Sequence, residues 1–271
     1  MIKRAAVLGS PISHSLSPLI HNHAYSLLEY PAIYQAIEVK SGELTEFLTS
    51  ELARSEVLGF SLTMPLKEEL AQLSIPALQV DARAKEINSA NTIYKEGQSW
   101  KVSSTDVDGF EFLLKELSFS TVSILGAGGT ARAAIASLRD RDVKIEIFRR
   151  SASRDASLSS AAMSSQIEIY DWDNCARAWK SDLVINTIPS DQVLSISKEF
   201  CSPKILLDAT YSPWPPGLTK QQLDAKGLLI SGLQLLAAQA VYQISLMTQI
   251  DFDKTWLYNE LLLKLDTARQ P

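Results

Sequence analysis

The clearest structural signal in this 271-residue chain is the segment TVSILGAGGTAR, from Thr121 to Arg132. Its first five residues form a β-rich run that predicts a buried strand, and an Ala-rich stretch through Leu138 predicts a helix. Three of the chain's 11 glycines fall between Gly126 and Gly129. In a strand, Gly-x-Gly-x-x-Ala turn and helix, small residues let backbone N–H groups and the helix N-terminus approach a pyrophosphate. The segment therefore predicts a dinucleotide site.

The residues after the next strand indicate which dinucleotide binds. That strand is predicted to end at Phe148, at the place where an Asp or Glu would accept hydrogen bonds from the adenine ribose hydroxyls of NAD. The residues found there are instead Arg149, Arg150 and Ser151, with Arg154 beyond. A guanidinium group pairs with phosphate oxygens through a planar fork, which suits the 2′-phosphate of NADP. NADP is therefore favoured, although a basic turn of this kind also occurs simply as a solvated surface.

Strands and helices alternate on both sides of the glycine turn. Predicted strands cover residues 5–8, 33–39, 57–62, 121–125, 143–148, 183–188 and 205–208. Predicted helices include one capped by Ser17 with Pro18 at its first position, and one whose apolar face carries Leu44, Phe47, Leu48 and Leu52. The Ser- and Ala-rich tract 151–166 is predicted to be a solvated helix after a loop. The alternation predicts an α/β fold with mostly parallel sheets, doubly wound in the second half.

Composition and charge exclude several classes of protein. Apolar residues make up 46% of the chain and charged residues 21%, as in ordinary folded proteins rather than disordered ones. A net charge of -5 has the wrong sign for a protein that neutralises nucleic-acid phosphates. No run approaches the ~20 apolar residues that cross a bilayer, and the apolar start is too short for a signal peptide. We therefore expect a cytoplasmic protein with neither nucleic acid nor membrane as a partner.

Two polar segments of the N-terminal half point to a site for chemistry. Ser13–Ser17 and Ser61–Lys67 each follow a predicted strand, where ligands of parallel sheets bind. So many hydroxyl groups suit a small hydroxylated or carboxylated substrate, although caps and turns also use Ser and Thr.

The scarcity of histidine and cysteine limits which residues could carry the proton in a nicotinamide-linked reaction. Such an enzyme must move the hydroxyl proton as hydride leaves, and histidine or a metal-bound alkoxide commonly does so. All three histidines lie within the first 23 residues, and the two cysteines form no metal-binding pair. Lys, Asp or Tyr therefore remains, and Lys67 with Asp106 is the best candidate pair. We expect no metal.

At this point the residues resemble a known family. The segment GSPISHSLSP, from Gly9 to Pro18, is similar to the opening signature of the shikimate dehydrogenases. The resemblance covers nearly the whole chain, continuing through residues 61–67, 89–92, 105–109, 126–132, 211–213 and 232–239. It implies reversible NADP-linked reduction of 3-dehydroshikimate to shikimate, a step of aromatic amino-acid synthesis by way of chorismate.

The resemblance also implies a domain organisation. A discontinuous α/β substrate domain would comprise residues 1–103 and 240–271, and a Rossmann-like NADP domain would comprise residues 104–239. The cleft between them would hold the chemistry. The protein would be a monomer or a homodimer.

Roles follow for residues that match the family's motifs. Lys67 matches the catalytic lysine, with Asp106 beside it. Shikimate would be held by Ser15, Ser17, Ser61, Thr63, Asn91, Asp106, Tyr211 and Gln239. NADP would be held by Gly126, Ala127, Gly128, Gly129 and Thr130, by the phosphate loop with Arg149, Arg150, Ser151 and Arg154, and by Ala209 and Gly232.

Several positions depart from the common family pattern. They are Ser61, Ser104 and Arg149 in place of Asn, Ser151 and Pro216 in place of Thr, and Gln234-Leu235 in place of Gly-Met. Some of them resemble a divergent actinobacterial branch. The changes leave the reacting pair intact but keep two alternatives open, a quinate or aminoshikimate dehydrogenase of the same fold and a non-catalytic NADP or metabolite sensor.

Overall fold

The computed structural model describes residues 2–163, 165–189 and 198–268. The chain forms two compact units, one of residues 1–109 with 236–271 and one of residues 110–235. The α/β fold class is confirmed. The domain boundaries implied by the family resemblance, at 103/104 and 239/240, stay a prediction, since the compact units divide at slightly different positions.

The first unit contains a mixed six-stranded sheet. Its strands are β1 (Lys3–Gly9), β2 (Ala32–Glu38), β3 (Val57–Leu62), β4 (Leu78–Val80), β5 (Thr92–Glu96) and β6 (Ser99–Ser103). Its helices are α1 (Ser17–Leu27), α2 (Leu44–Glu51), α3 (Leu66–Gln72) and α4 (Ala82–Glu86), the first residues of α5 (Thr105–Leu114), and, after the second unit, most of α9 (Gly232–Thr248) and α10 (Lys254–Thr267). The strand order is β2-β1-β3-β5-β6-β4.

The second unit contains a six-stranded sheet that is parallel throughout. Its strands are β7 (Thr121–Leu125), β8 (Lys144–Arg149), β9 (Ile167–Asp171), β10 (Leu183–Asn186), β11 (Ile205–Asp208) and β12 (Leu228–Ser231). Its helices include α6 (Gly129–Ala136), α7 (Asp155–Ala162) and α8 (Gly217–Asp224), with 3-10 turns at Ala152–Arg154 and Trp172–Lys180. The order β12-β11-β10-β7-β8-β9 reverses direction between β7 and β10, which is the doubly wound arrangement with its ligand-binding switch point.

Two local predictions were wrong, and one hairpin was not predicted. The sheet of the first unit is mostly parallel, as predicted, with three parallel pairings, but β3 and β5 pair antiparallel and β5 and β6 form a hairpin that was not predicted. The two-residue turn of that hairpin has Gly97 at φ 58°, and this glycine is the sequence signal that would have predicted the turn. Ser17 is not a helix cap, because Leu16 already has helical dihedrals and occupies the cap position. Helix α6 ends at Ala136 rather than Leu138.

The tract after β8 also differs from its prediction. It contains the expected helix, α7, but this helix is not simply solvated. Leu158, Ala161 and Ala162 are buried on its inner face. Alternation of small apolar residues with serines conceals a narrow apolar stripe in the sequence.

One hydrophobic cluster in the core of the first unit lies between its sheet and helices α2 and α3. Ala6 and Leu8 of β1 contribute to one cluster with Leu44, Leu48 and Leu66 of these helices. The predicted apolar face of α2 is thus confirmed for Leu44 and Leu48, which are both fully buried. Burial of a leucine side chain contributes about 1.5–3 kcal/mol through removal of apolar surface from water.

We expect Leu48→Ala to lower the free energy of unfolding by about 2–5 kcal/mol, because it removes buried methyl groups and leaves a cavity. Leu263→Ala is the matched control in the same unit, since Leu263 is 60% exposed, and should change stability by less than about 0.5 kcal/mol. Urea denaturation followed by circular dichroism measures both. Equal losses for the two variants would contradict this description of the core.

Candidate active site

Strand register brings four polar segments of the first unit to one edge of its sheet. Leu8 of β1 lies beside Leu62 of β3, where both parallel strands end. Ser61 pairs with Thr92 at the start of antiparallel β5, and Thr92 pairs with Ser103 at the end of β6. The loops that carry the predicted serines, Lys67, Asn91 and Asp106 therefore leave the sheet at the same edge.

The predicted reacting pair is in direct contact. Lys67 is the second residue of α3, and Asp106 is the second residue of α5. The Nζ atom of Lys67 donates to Oδ2 of Asp106 at 2.5 Å, and their side chains are 19% and 7% exposed. The N-terminus of α5 also favours a negative charge at this position. An ammonium and a carboxylate thus meet at a partly dry site, where electrostatic interactions are stronger than in bulk water.

Two of the predicted substrate residues lie beside this pair. The amide nitrogen Nδ2 of Asn91 donates to Oδ1 of Asp106 at 2.8 Å and lies 3.4 Å from Oε1 of Gln239. Both oxygens of Asp106 therefore have a donor, one from Lys67 and one from Asn91. Lys67, Asn91, Asp106 and Gln239 form a single cluster, although they are spread over more than 170 positions of the sequence.

The hydroxyl residues predicted at the substrate site lie at or next to the ends of β1, β3 and α1. Ser15 is half-buried, and its Oγ accepts from the backbone N–H of the buried Ser17 at 3.3 Å. Thr63 is half-buried directly after β3, where its backbone N–H donates to the carbonyl of Leu8 at 2.9 Å. Ser61 is buried, and its Oγ shares a short hydrogen bond with the hydroxyl of Tyr34.

A buried histidine lies behind this cluster. The ring of His21 stacks on Tyr34 with centroids 3.9 Å apart, and its Nε2 is 3.2 Å from Oε1 of Gln243. Burial lowers the pKa of His21 to about 3, with a smaller opposing effect from the hydrogen bond to Gln243. Burial also raises the pKa of the Tyr34 hydroxyl. These rings therefore stay neutral near neutral pH and contribute packing and fixed dipoles.

The glycine turn of the second unit has the geometry that a phosphate cradle requires. Gly126 has φ 116°, a conformation that favours glycine, and an added Cβ would lie 2.4 Å from Oγ1 of Thr187. Gly128 caps α6, and the space that its missing Cβ would occupy is open to 4 Å. Ala127, Gly129 and Thr130 are half-buried in the same turn. An anion can therefore approach the first N–H groups of α6 closely.

Arg149 has carboxylate partners within the protein. It is buried at the end of β8, and its Nε and Nη2 donate to the two oxygens of Asp155 at 2.7 and 3.0 Å. Its Nη1 donates to Asp171, the residue that faces it in β9. Arg150, Ser151 and Arg154 are exposed after the strand. The predicted contact of Arg149 with NADP stays a prediction, and its two ion pairs indicate instead that it holds the start of the loop.

A buried aspartate that the sequence analysis missed organises the far end of this sheet. Asp208 accepts from Nδ2 of Asn186 at 2.9 Å, from Oγ1 of Thr210 at 2.7 Å and from Oγ1 of Thr219 at 2.9 Å. These bonds fix the chain at Ala209, and the half-buried Tyr211 follows. A carboxylate at the end of a predicted strand, with a threonine two residues later, is the signal that could have revealed it.

Gly232 is held against the same segment. An added Cβ there would lie 2.4 Å from the carbonyl oxygen of Thr210 and 2.8 Å from that of Ala209. Only glycine fits, because both near atoms belong to the backbone. The predicted cofactor residues Ala209 and Gly232 are therefore neighbours. The predicted substrate residue Tyr211 lies in this unit, whereas the other predicted substrate residues lie in the first.

The fold and the glycine turn define a dinucleotide-binding α/β protein of the Rossmann-like class, with a second α/β unit. Residues 7–93 match the family model of the shikimate dehydrogenase substrate-binding domain. A shikimate dehydrogenase of Sulfurisphaera tokodaii is 32% identical over 241 residues, which cover 88% of this chain and 86% of that protein. This chain belongs to the shikimate dehydrogenase family.

Solved structures agree with this assignment. The crystal structure of Mycobacterium tuberculosis shikimate dehydrogenase matches with a TM-score of 0.85 and 31% identity, covering 96% of this chain and 99% of that one. The shikimate dehydrogenase of Thermus thermophilus, in complex with NADP(H) and shikimate, matches with a TM-score of 0.79 and 27% identity, covering 97% and 100%. Within the described residues, no helix is both long and apolar enough to cross a membrane.

The buried His21 predicts a pH dependence of stability. Its pKa is about 3 in the folded protein and about 6.5 when unfolded, so the unfolded state binds the proton first as the pH falls. We expect acidification from pH 6.5 to pH 5 to lower the free energy of unfolding by about 1–2 kcal/mol more in the parent than in His21→Asn. Urea denaturation at several pH values measures the difference. His14→Asn changes an exposed histidine and should keep the parent's slope; parallel curves for parent and His21→Asn would contradict the assignment.

Proposed function

We propose that this protein is an NADP-linked shikimate dehydrogenase that catalyses the reversible reduction of 3-dehydroshikimate to shikimate. The observation that carries the proposal is the contact of Lys67 with Asp106 at 2.5 Å, beside Asn91 and Gln239, in a chain of this family. This cluster offers a proton donor, an anion that holds it and two amides able to bind hydroxyl groups.

The glycine turn fits the cofactor of this reaction. Gly126 to Thr130 would hold the pyrophosphate at the start of α6, because the space beyond Gly128 is open. Arg150, Ser151 and Arg154 would bind the 2′-phosphate of the adenine ribose, and Ala209 and Gly232 would line the nicotinamide end. When bound, NADPH supplies the hydride that reduces the substrate carbonyl.

Lys67 and Asp106 have different roles in the proton transfer that accompanies the hydride transfer. In the reduction, Lys67 passes a proton to the carbonyl oxygen of the substrate and stabilises the charge that develops there. Asp106 holds the ammonium in position and binds a neighbouring hydroxyl. In the reverse direction the same lysine, as a neutral amine, accepts the hydroxyl proton. No histidine is needed, which agrees with the burial of His21 away from water.

The surrounding hydroxyl and amide groups would orient the substrate. Ser15 and Thr63, in loops at the edge of the first sheet, and Ser17, at the start of α1, suit the carboxylate and hydroxyls of the substrate. Asn91 donates to Asp106 and lies beside Gln239, and Tyr211 would contribute from the second unit. Ser61 stands where the family commonly has asparagine and already bonds Tyr34, so we expect its contribution to substrate binding to be indirect.

The proposal also covers the protein's cellular compartment, oligomeric state and partners. We expect a cytoplasmic monomer or homodimer whose partners are its substrate and cofactor. The net charge of -5 disfavours nucleic acid as a partner.

The direct test is the rate of NADPH formation from NADP and shikimate, measured in parallel with quinate, an aminoshikimate and NAD. The proposal requires that shikimate with NADP has the highest kcat/KM. A higher value with quinate or an aminoshikimate would assign a related dehydrogenase. Binding of NADP without turnover of any of the three substrates would assign a sensor.

Lys67→Ala should lower kcat for shikimate by about a hundredfold or more and leave KM within a few-fold, since the lysine acts in the transition state. The control is Lys101→Ala, because this lysine of the same unit pairs with the exposed Glu96 and should not affect the rate. Steady-state kinetics measure both. A large rise in KM with normal kcat would remove Lys67 from the proton-transfer step.

Arg150→Ala should raise the KM for NADP by about ten- to a hundredfold and change the KM for NAD little, because only NADP carries the 2′-phosphate. Arg177→Ala provides the control, since this arginine pairs with Glu146 in the same unit. Equal affinities of the parent for NADP and NAD would contradict the charge argument.

Arg149→Ala separates the two roles considered for that arginine. With a phosphate contact it should act like Arg150→Ala, whereas loss of its two ion pairs alone should affect both cofactors alike.

A further inference from the structure

We propose that Thr92 and Thr105 are positioning residues that fix the direction of the Asn91 amide and, through it, the carboxylate of Asp106. The inference rests on the proposed function, because it assigns these threonines a part in the same reaction. The side chains of both threonines bond Asn91 and neither bonds Lys67 or Asp106, so each would act through Asn91.

Three donors converge on the amide oxygen of Asn91. The backbone N–H of Thr105 donates to Oδ1 at 2.7 Å, the hydroxyl of Thr92 donates at 2.9 Å, and the hydroxyl of Thr105 lies at 3.1 Å. Asn91 is 2% exposed and both threonines are fully buried. Water therefore does not compete for this oxygen, and each missing bond would leave a buried polar atom unsatisfied.

This arrangement permits one orientation of the amide. Rotation of the side chain by half a turn would place its NH2 group against the Thr105 N–H, donor against donor. It would also place the carbonyl oxygen against the carboxylate of Asp106, acceptor against acceptor. The amide therefore keeps Nδ2 directed at Oδ1 of Asp106, at 2.8 Å, which leaves Oδ2 for the ammonium of Lys67 at 2.5 Å.

A second set of bonds holds the threonine hydroxyls. The two Oγ1 atoms are 3.0 Å apart, and Nε2 of Gln243 donates to Oγ1 of Thr92 at 3.3 Å. Because Oγ1 of Thr92 accepts from Gln243, its own proton is left for Oδ1 of Asn91 or for Oγ1 of Thr105, and in either case a threonine hydroxyl can donate to the amide oxygen. Gln243 is in turn held by its contact with His21. A buried polar network of this kind restricts the orientation of its members.

The arrangement matters for turnover, because Asp106 can hold the Lys67 ammonium in position only while the carboxylate itself cannot rotate. A misplaced reacting group reduces the rate strongly even when the residue is present. We therefore expect the threonines to affect kcat/KM for shikimate and not the KM for NADP.

A double-mutant cycle tests the inference. Thr92→Val with Thr105→Val removes both hydroxyls, keeps the branched shape and leaves the backbone N–H of residue 105 in place. In the parent background the pair should lower kcat/KM for shikimate about tenfold. In an Asn91→Ala background the same pair should cost less than about twofold, because residues that act through a common partner are not additive.

A tenfold loss in both backgrounds would overturn the inference, since the threonines would then act independently of Asn91. An unchanged kcat/KM in the parent background would overturn it as well. Thermal unfolding of each variant establishes that the folded protein is assayed.

Conservative variants guard against a packing effect. Thr92→Ser with Thr105→Ser retains both hydroxyls and should keep kcat/KM within about twofold of the parent. A tenfold loss for the serine pair would assign the effect to the methyl groups and overturn the inference. If the parent itself forms no NADPH from shikimate, the proposed function fails, and that result is distinct from additivity in an active enzyme.

Discussion

The carboxylate of Asp106 is the point at which the first unit's functional groups converge. One oxygen accepts from the ammonium of Lys67 and the other from the amide of Asn91. Rotation of the carboxylate would therefore break both hydrogen bonds. A charge pair removed from water is costly unless its remaining hydrogen-bonding positions are satisfied. Here Asn91 satisfies the second oxygen, and the N-terminus of α5 favours the negative charge. The register of β1, β3, β5 and β6 makes this convergence possible, because it brings their loops to one edge.

In the second unit, too, the sheet brings the functional loops to one edge, although all of its strands are parallel. Every strand ends at the same edge, so the glycine turn, the residues around Arg149 and the segment after β11 all emerge there. Pairs that face each other across neighbouring strands become partners, as Arg149 does with Asp171 and Asn186 with Asp208. Substitution of the family's usual asparagine by Arg149 is therefore accompanied in this chain by two carboxylates able to receive its charge.

The most accurate predictions concern features encoded by short stretches of sequence. The glycine turn and the strands at 57–62, 121–125 and 205–208 have the bounds expected from β-rich runs and turn residues. The β5–β6 hairpin was missed, because its two-residue turn carries a single glycine and its first strand begins in the polar pair Asn91-Thr92. Ser17 failed as a cap because the preceding leucine is already helical, which depends on how the loop leaves β1.

Residue types and spacing were sufficient to predict an α/β protein with a phosphate-binding turn, and to single out Lys67 and Asp106 by the shortage of other proton carriers. They could not indicate that Arg149 is bound by Asp155 and Asp171, that Tyr34 takes up the hydroxyl of Ser61, or that two threonines orient Asn91. The reason is physical. A turn depends on local dihedral preferences, which a few residues encode, whereas these hydrogen bonds depend on strand pairing and helix packing between segments distant in the chain.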